Sequence, residues 1–206
     1  MKKDLVVLFL FTIFIGFSVS TASAGVYLSG NLGASFLSDS DWDEDGGSGE
    51  FTFDDGGVAT LALGTNIGSA GRIEIELASR VNDLDEVKFD DYGTFDLDGD
   101  VTTVSLMGNA YYDFKNGSRF TPFIGGGLGY ANVEYDLDEI EGYEINEKDD
   151  DNVMAYQLML GTGFAATERL SIDLQYRFFG TADPELDGTD VEYHTHNVML
   201  GLRYDF

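Results

Sequence analysis

Cysteine is missing from all 206 residues. Its absence excludes disulfide staples, thiolate metal sites and a cysteine nucleophile, so the fold must draw its stability from elsewhere. Basic residues are scarce as well: 11 Lys and Arg stand against 38 Asp and Glu, for a formal net charge of −27. A phosphate backbone is repelled by such a chain, and no basic patch or stripe compensates, which excludes nucleic acid as a partner. The same sign disfavours direct docking on an anionic lipid surface. No Pro/Gly/Ser-rich linker or second composition zone divides residues 25–206, so one domain is expected there. After residue 24 no stretch is apolar enough for a membrane-spanning helix, and residence in a membrane would have to use strands.

The opening MKKDLVVLFLFTIFIGFSVSTASA has the three parts of a secretory signal. Lys2 and Lys3 form a basic start, residues 5–19 an apolar run shorter than the ~20 residues of a spanning helix, and Ala22 and Ala24 a small-residue cleavage site. Residues 1–24 are therefore read as a signal peptide, with the mature chain starting at Gly25.

Beyond it, alternation of apolar and polar residues with period two recurs in eight segments. Three are clear. In 72–81, Ile73, Ile75, Leu77 and Val81 share one face, and Arg72, Glu74, Glu76 and Arg80 the other. In 170–178, Leu170, Ile172, Leu174, Tyr176 and Phe178 oppose Ser171, Asp173, Gln175 and Arg177. In 197–206, Val198, Leu200, Leu202, Tyr204 and Phe206 oppose Asn197, Met199, Gly201, Arg203 and Asp205. Five weaker strands fall at 25–37, 57–67, 101–114, 120–135 and 152–165.

Connections alternate in length. Those at 38–56, 82–100, 136–151 and 181–190 are long and polar, and those near 68–71, 115–119 and 166–169 are short. The four long ones hold 29 of the 38 acidic residues, with only Lys88 and Lys148 in return. Short turns at one end, long loops at the other and an even strand count predict an all-β fold: an eight-stranded antiparallel transmembrane β-barrel, an up-and-down meander. Tyr27, Tyr112, Phe114, Phe120, Phe123, Phe164, Tyr204 and Phe206 all fall where strands meet short turns, and are expected to form the aromatic girdle of such a barrel.

Three stretches, TPFIGGGLGYANV (121–133), LSIDLQYRFFG (170–180) and HNVMLGLRYDF (196–206), resemble the small eight-stranded outer-membrane barrels of the opacity-protein and surface-antigen type, related in plan to OmpA-like barrels. The resemblance implies a multi-pass barrel in a bacterial outer membrane, loops external and both termini periplasmic. It implies that Tyr204 and the terminal aromatic Phe206 form the insertion signal read by the barrel-assembly machinery. Lipid and lipopolysaccharide are the implied surroundings and a monomer the expected state. Members of the family differ widely in role.

The inward faces of the clear strands carry Arg72, Arg80, Arg177 and Arg203 against Glu74, Glu76, Asp173 and Asp205, four against four. An eight-stranded barrel is only wide enough for side chains to fill it, so a structural ion-pair network is expected rather than a gated ion path. Gly125, Gly126, Gly127 and Gly129 lack the Lys-Ser/Thr of a phosphate loop and are read as room for a curved strand and a ring lying on bare backbone. His194 and His196 lie on one side of a strand, facing outward near the external rim, as interfacial imidazoles rather than metal ligands. Asp41, Asp43 and Asp45 in DWDEDG reproduce the first half of a calcium-loop pattern, but Thr52 stands where the closing Glu belongs. Loose binding of divalent cations, Ca2+ or Mg2+, is expected at the acidic loops, with Asp149, Asp150 and Asp151 as further contributors.

A non-enzymatic surface protein follows, with a role in envelope structure, surface shielding or adhesion. A minor porin for small or hydrophobic solutes is the alternative. An enzyme acting on lipid A ranks third, because His194-Thr195-His196 lacks the His-x-Ser pair of the barrel-sized deacylases, and a soluble lipocalin-like carrier ranks fourth.

Overall fold

The computed structural model describes residues 25–37, 40–44, 47–53, 55–89, 93–140, 143–182, 185–186, 189–190 and 193–206. The leader read at 1–24 lies outside them. Twelve strands follow in chain order: β1 Val26–Leu37, β2 Ser40–Glu44, β3 Gly47–Phe53, β4 Gly56–Ile67, β5 Gly71–Phe89, β6 Gly93–Asp113, β7 Phe120–Ile140, β8 Tyr143–Ala165, β9 Leu170–Thr181, β10 Glu185–Leu186, β11 Thr189–Asp190 and β12 His194–Asp205. Eight of them, β1, β4 to β9 and β12, form a ring in which each pairs antiparallel with its chain neighbour. The last strand closes on the first, from Tyr27↔Asp205 to Leu37↔Thr195. The remaining four are additions at the long-loop end: β2 and β3 form a hairpin whose second strand adds to β5, and β10 and β11 pair with each other.

Closure leaves no free edge in the wall, and that is the stability source a chain without disulfides needs. The wall alternates along most of its length, with Ala59 and Ser79 buried on the outward phase. Even-numbered positions of β5 and β4 and odd-numbered positions of β1 point inward and are mostly buried; most of the positions between them are apolar and exposed. Ile75, Leu77, Leu174, Leu200 and Leu202 are all exposed, and Leu128 and Tyr130 are each 68% exposed, which no water-soluble packing tolerates over a continuous belt. This belt is the lipid-facing surface, with Ile73 inside it and Ile172 half-buried at its edge.

Strand length differs from the sequence reading. Segments 82–100 and 136–151, read as loops, continue the ladders of β5–β6 and β7–β8 to Phe89↔Gly93 and Ile140↔Tyr143. Each ladder absorbs one irregularity on the way, between Asp83 and Glu86 and between Leu137 and Glu139. In these segments the apolar-polar alternation of the sequence fades while the backbone pairing persists. Strands β7, 21 residues, and β8, 23 residues, are twice the ~9–11 residues a membrane crossing requires.

Two girdle assignments are corrected. Tyr112, Phe114, Phe120 and Tyr204 are exposed at the short-turn end, in edge or tilted pairs at 5.1 Å (Tyr112–Phe114), 5.1 Å (Phe120–Phe164) and 5.5 Å (Tyr204–Phe206). Tyr27 and Phe123 instead point into the lumen and are buried. Strand phase, not nearness to a turn, decides which side a ring takes.

Candidate functional site

The lumen is the most chemically loaded part of the described molecule. At its short-turn end Arg72, from the start of β5, sends Nε to Asp113 Oδ1 and Oδ2 at 3.0 and 3.1 Å and lies 3.6 Å from Glu74. Its guanidinium also lies against the rings of Tyr111 and Phe123, 4.4 and 5.1 Å from their centroids. Arg203 of β12 reaches Asp173 of β9 at 3.4 Å. Glycines make room for this layer. A side chain at Gly125 would strike the Tyr111 ring, and one at Gly64 the Tyr27 ring, so both rings lie on bare backbone.

At mid-height Arg177 grips Glu76 with two parallel bonds, Nη1 to Oε1 at 2.6 Å and Nη2 to Oε2 at 2.9 Å. Gln157 ties the pair to a third wall: its amide nitrogen donates to Glu76 Oε1 at 3.1 Å and to Asn109 Oδ1 at 2.7 Å, while its carbonyl accepts from Arg177 Nη1 at 3.2 Å. Gln175, Asn31 and Thr60 form a second chain across the barrel, at 2.9 and 2.8 Å. Such bidentate, fully desolvated pairing orients side chains rigidly, and groups so engaged across the bore leave an ion little to bind on its way through.

Arg80 is different. It is fully buried, with Nη1 donating to Ser105 Oγ at 3.2 Å and its guanidinium carbon 3.8 Å from the Phe179 ring centroid. Around it the outer lumen turns apolar: Val101, Met107, Ala131, Val133, Val153, Ala155, Phe179 and Tyr193 pack together.

Of the eight lumen residues read from the sequence, Asp205 is misplaced. It sits half-exposed at the terminal rim and accepts from Asn66 Nδ2 at 3.3 Å. Its phase is inward, but one residue from the chain end it has passed the rim. Asp113 takes its place, so the balance remains four against four. Asp113, Asn109 and Gln157 were missed, although each lies in phase with its strand's inward face; a polar residue among apolar inward neighbours is the signal that marks them.

On the outside, Tyr156, Tyr176, Phe178, His194 and His196 form one cluster across β8, β9 and β12. Tyr156 shares a hydrogen bond with His194 Nε2 at 3.0 Å and Tyr176 with His196 Nδ1 at 2.6 Å. Phe178 stacks on His194, centroids 5.6 Å apart. The side chains of Asp41 and Asp43, and Asp45 entirely, lie outside the described residues. Among the described residues no group of three His, Asp or Glu is placed to hold a metal ion.

Comparison with known proteins bears directly on this geometry. Residues 7–206 match the family described as outer membrane protein beta-barrel domain. The chain belongs to that family. It is 28% identical over 137 residues to the outer membrane protein PagN of Salmonella typhimurium, covering 59% of this chain and 57% of that protein. Over 134 residues it is 32% identical to the putative adhesin RC1281 of Rickettsia conorii, 57% and 53% covered. The chain thus spans about half the length of the curated relatives it matches. The crystal structure of Neisserial surface protein A superposes with a TM-score of 0.63 at 17% identity, over 89% of this chain and 98% of the other, a likeness of fold. The outer-membrane barrel is accordingly a bacterial outer-membrane protein, its apolar belt in the lipid.

Proposed function

We propose that this is a non-enzymatic surface protein in which a sealed barrel anchors stiff acidic β-hairpins outside the cell, and that the hairpins serve adhesion. The observation that carries the reading is the length of β5 to β8. At ~3.3 Å per residue, β7 runs roughly 70 Å along its own path, and about half of it stands clear of the membrane. A ladder continuous with the wall holds the tips at fixed height and spacing, which a floppy loop could not do. The likeness to a putative adhesin supports the same role.

Acid on these hairpins is laid out in rows. Asp83, Asp100 and Asp136 are direct cross-strand neighbours, as are Glu134 and Asp150, and Lys148 stands opposite Asp136. Like charges directly opposite one another are unfavourable in a ladder. Calcium or magnesium gathering here would relieve that repulsion and link the hairpins to lipopolysaccharide phosphates. The barrel-assembly machinery would read Tyr204 and Phe206 at the end of β12, and the folded chain would act as a monomer.

The test is display of the full chain in the outer membrane of a non-adherent laboratory bacterium, beside a variant whose β5–β6 and β7–β8 hairpins are cut back to two-residue turns at membrane height. Adhesion to epithelial cells should rise several-fold with the full chain and fall to background with the shortened one, while heat-dependent gel mobility shows both barrels folded. Chelation of divalent cations should lower adhesion of the full chain. Equal adhesion by both forms would refute the role given to the hairpins.

A further inference from the structure

The buried charges of the lumen are balanced in total but not in place. Near the short turns Arg72 and Arg203 face Glu74, Asp113 and Asp173; farther out, among the described residues, Arg80 and Arg177 share Glu76 as their nearest carboxylate. Both oxygens of Glu76 are taken by Arg177. Arg80 therefore carries a full positive charge, 0% exposed, with no carboxylate paired to it among the described residues.

Its unmet donors converge with others. Among the described residues Arg80 Nε and Nη2 have no acceptor, and the buried hydroxyls of Thr103 and Tyr193 lie within reach of one another. Thr103 is the direct cross-strand neighbour of Arg80 on β6. Tyr193, at the entry to β12, packs edge-on against Phe179, 6.2 Å between ring centroids, and Phe179 is the ring that covers Arg80. Phe179 covers one face of the guanidinium and leaves its edge to these groups. Val101, Val133 and Val153 surround the set with hydrocarbon. A cation withdrawn from water without a counter-charge is strongly disfavoured, and the guanidinium and both hydroxyls can each donate a hydrogen bond to an anion.

We propose that the outer lumen is a binding site for one small, weakly hydrated monovalent anion, a halide such as chloride, held by Arg80 Nε and Nη2 and by the hydroxyls of Thr103 and Tyr193. The apolar wall selects against strongly hydrated ions, because nothing there replaces a lost water shell. The acidic hairpins above lower the local anion concentration, so occupancy follows the salt content of the medium. The site is independent of the adhesive role proposed for the hairpins.

Chloride-35 line widths decide the matter, recorded on the full chain in detergent as sodium chloride replaces sodium gluconate at constant ionic strength. The wild-type chain should give a saturable excess width that bromide displaces and fluoride does not. Arg80→Gln should abolish it. Thr103→Val, close to isosteric, should weaken it at least ~tenfold, the value of one hydrogen bond to a charged partner. Crystals grown in bromide should show an anomalous peak beside Arg80 Nε. A width that never saturates, or one that saturates equally in Arg80→Gln, overturns the proposal. If Arg80→Gln does not fold, unchanged binding in Thr103→Val overturns it alone. Displacement by acetate as effective as by bromide would also overturn the halide site, in favour of a carboxylate one.

Discussion

Replacing Glu76 by Gln should lower the unfolding free energy of the barrel by about 3–5 kcal/mol, the cost of leaving a buried ion without its partner. Glu76 and Arg177 are both 0% exposed, and the carboxylate also holds Gln157, which holds Asn109. Gln keeps the shape of the side chain, so what is lost is the charge that Arg177 needs. The double variant Glu76→Leu with Arg177→Met should recover most of the loss, because two apolar groups leave no unpaired ion behind. Urea-induced unfolding in lipid vesicles, followed by far-ultraviolet circular dichroism, measures both variants against the wild type. A loss below about 1 kcal/mol in Glu76→Gln would mean that water reaches the pair, as exposed pairs are worth no more than this.

The second large effect lies on the opposite face of the same wall. Leu174 is 52% exposed and pairs in register with Leu200, itself 60% exposed. In water an arginine there would cost almost nothing. In lipid Leu174→Arg should cost about 2–4 kcal/mol near the midplane, because a guanidinium loses its hydration. Leu174→Phe, which keeps the face apolar, should fold as the wild type does. Equilibrium folding into vesicles of a short-chain phosphatidylcholine gives both numbers. A neutral Leu174→Arg would place the belt outside the membrane.

Period-two alternation carried most of the fold because a membrane barrel uses it twice: lipid enforces apolar residues on one face, and the filled lumen enforces small or polar ones on the other. Where only one constraint acts, the sequence is silent. Residues 82–89 and 93–100 pair as strands, and nothing in their composition distinguishes them from a loop. Lumen contents were legible as a class but not as pairs. The phase that exposed Arg177 and Glu76 says nothing of their partnership, which depends on how β5 and β9, four places apart around the ring, face each other across the bore. Tyr27 and Phe123 show the other limit. Proximity to a turn suggested a girdle, and strand phase overrode it, placing both rings where glycines on neighbouring strands leave room for them.

Nitroxide labels along β9 test the sealed barrel most directly, and the lack of native cysteine makes single-site labelling clean. Labels at Ile172, Leu174 and Tyr176, with the chain in bilayers, should be relaxed by molecular oxygen and shielded from a water-soluble nickel chelate. Labels at Asp173 and Gln175 should be shielded from both, because their side chains sit in a filled lumen. Nickel access at Asp173 and Gln175 would reveal an open aqueous channel, and oxygen access at those sites with nickel access at Leu174 would put the register out by one residue.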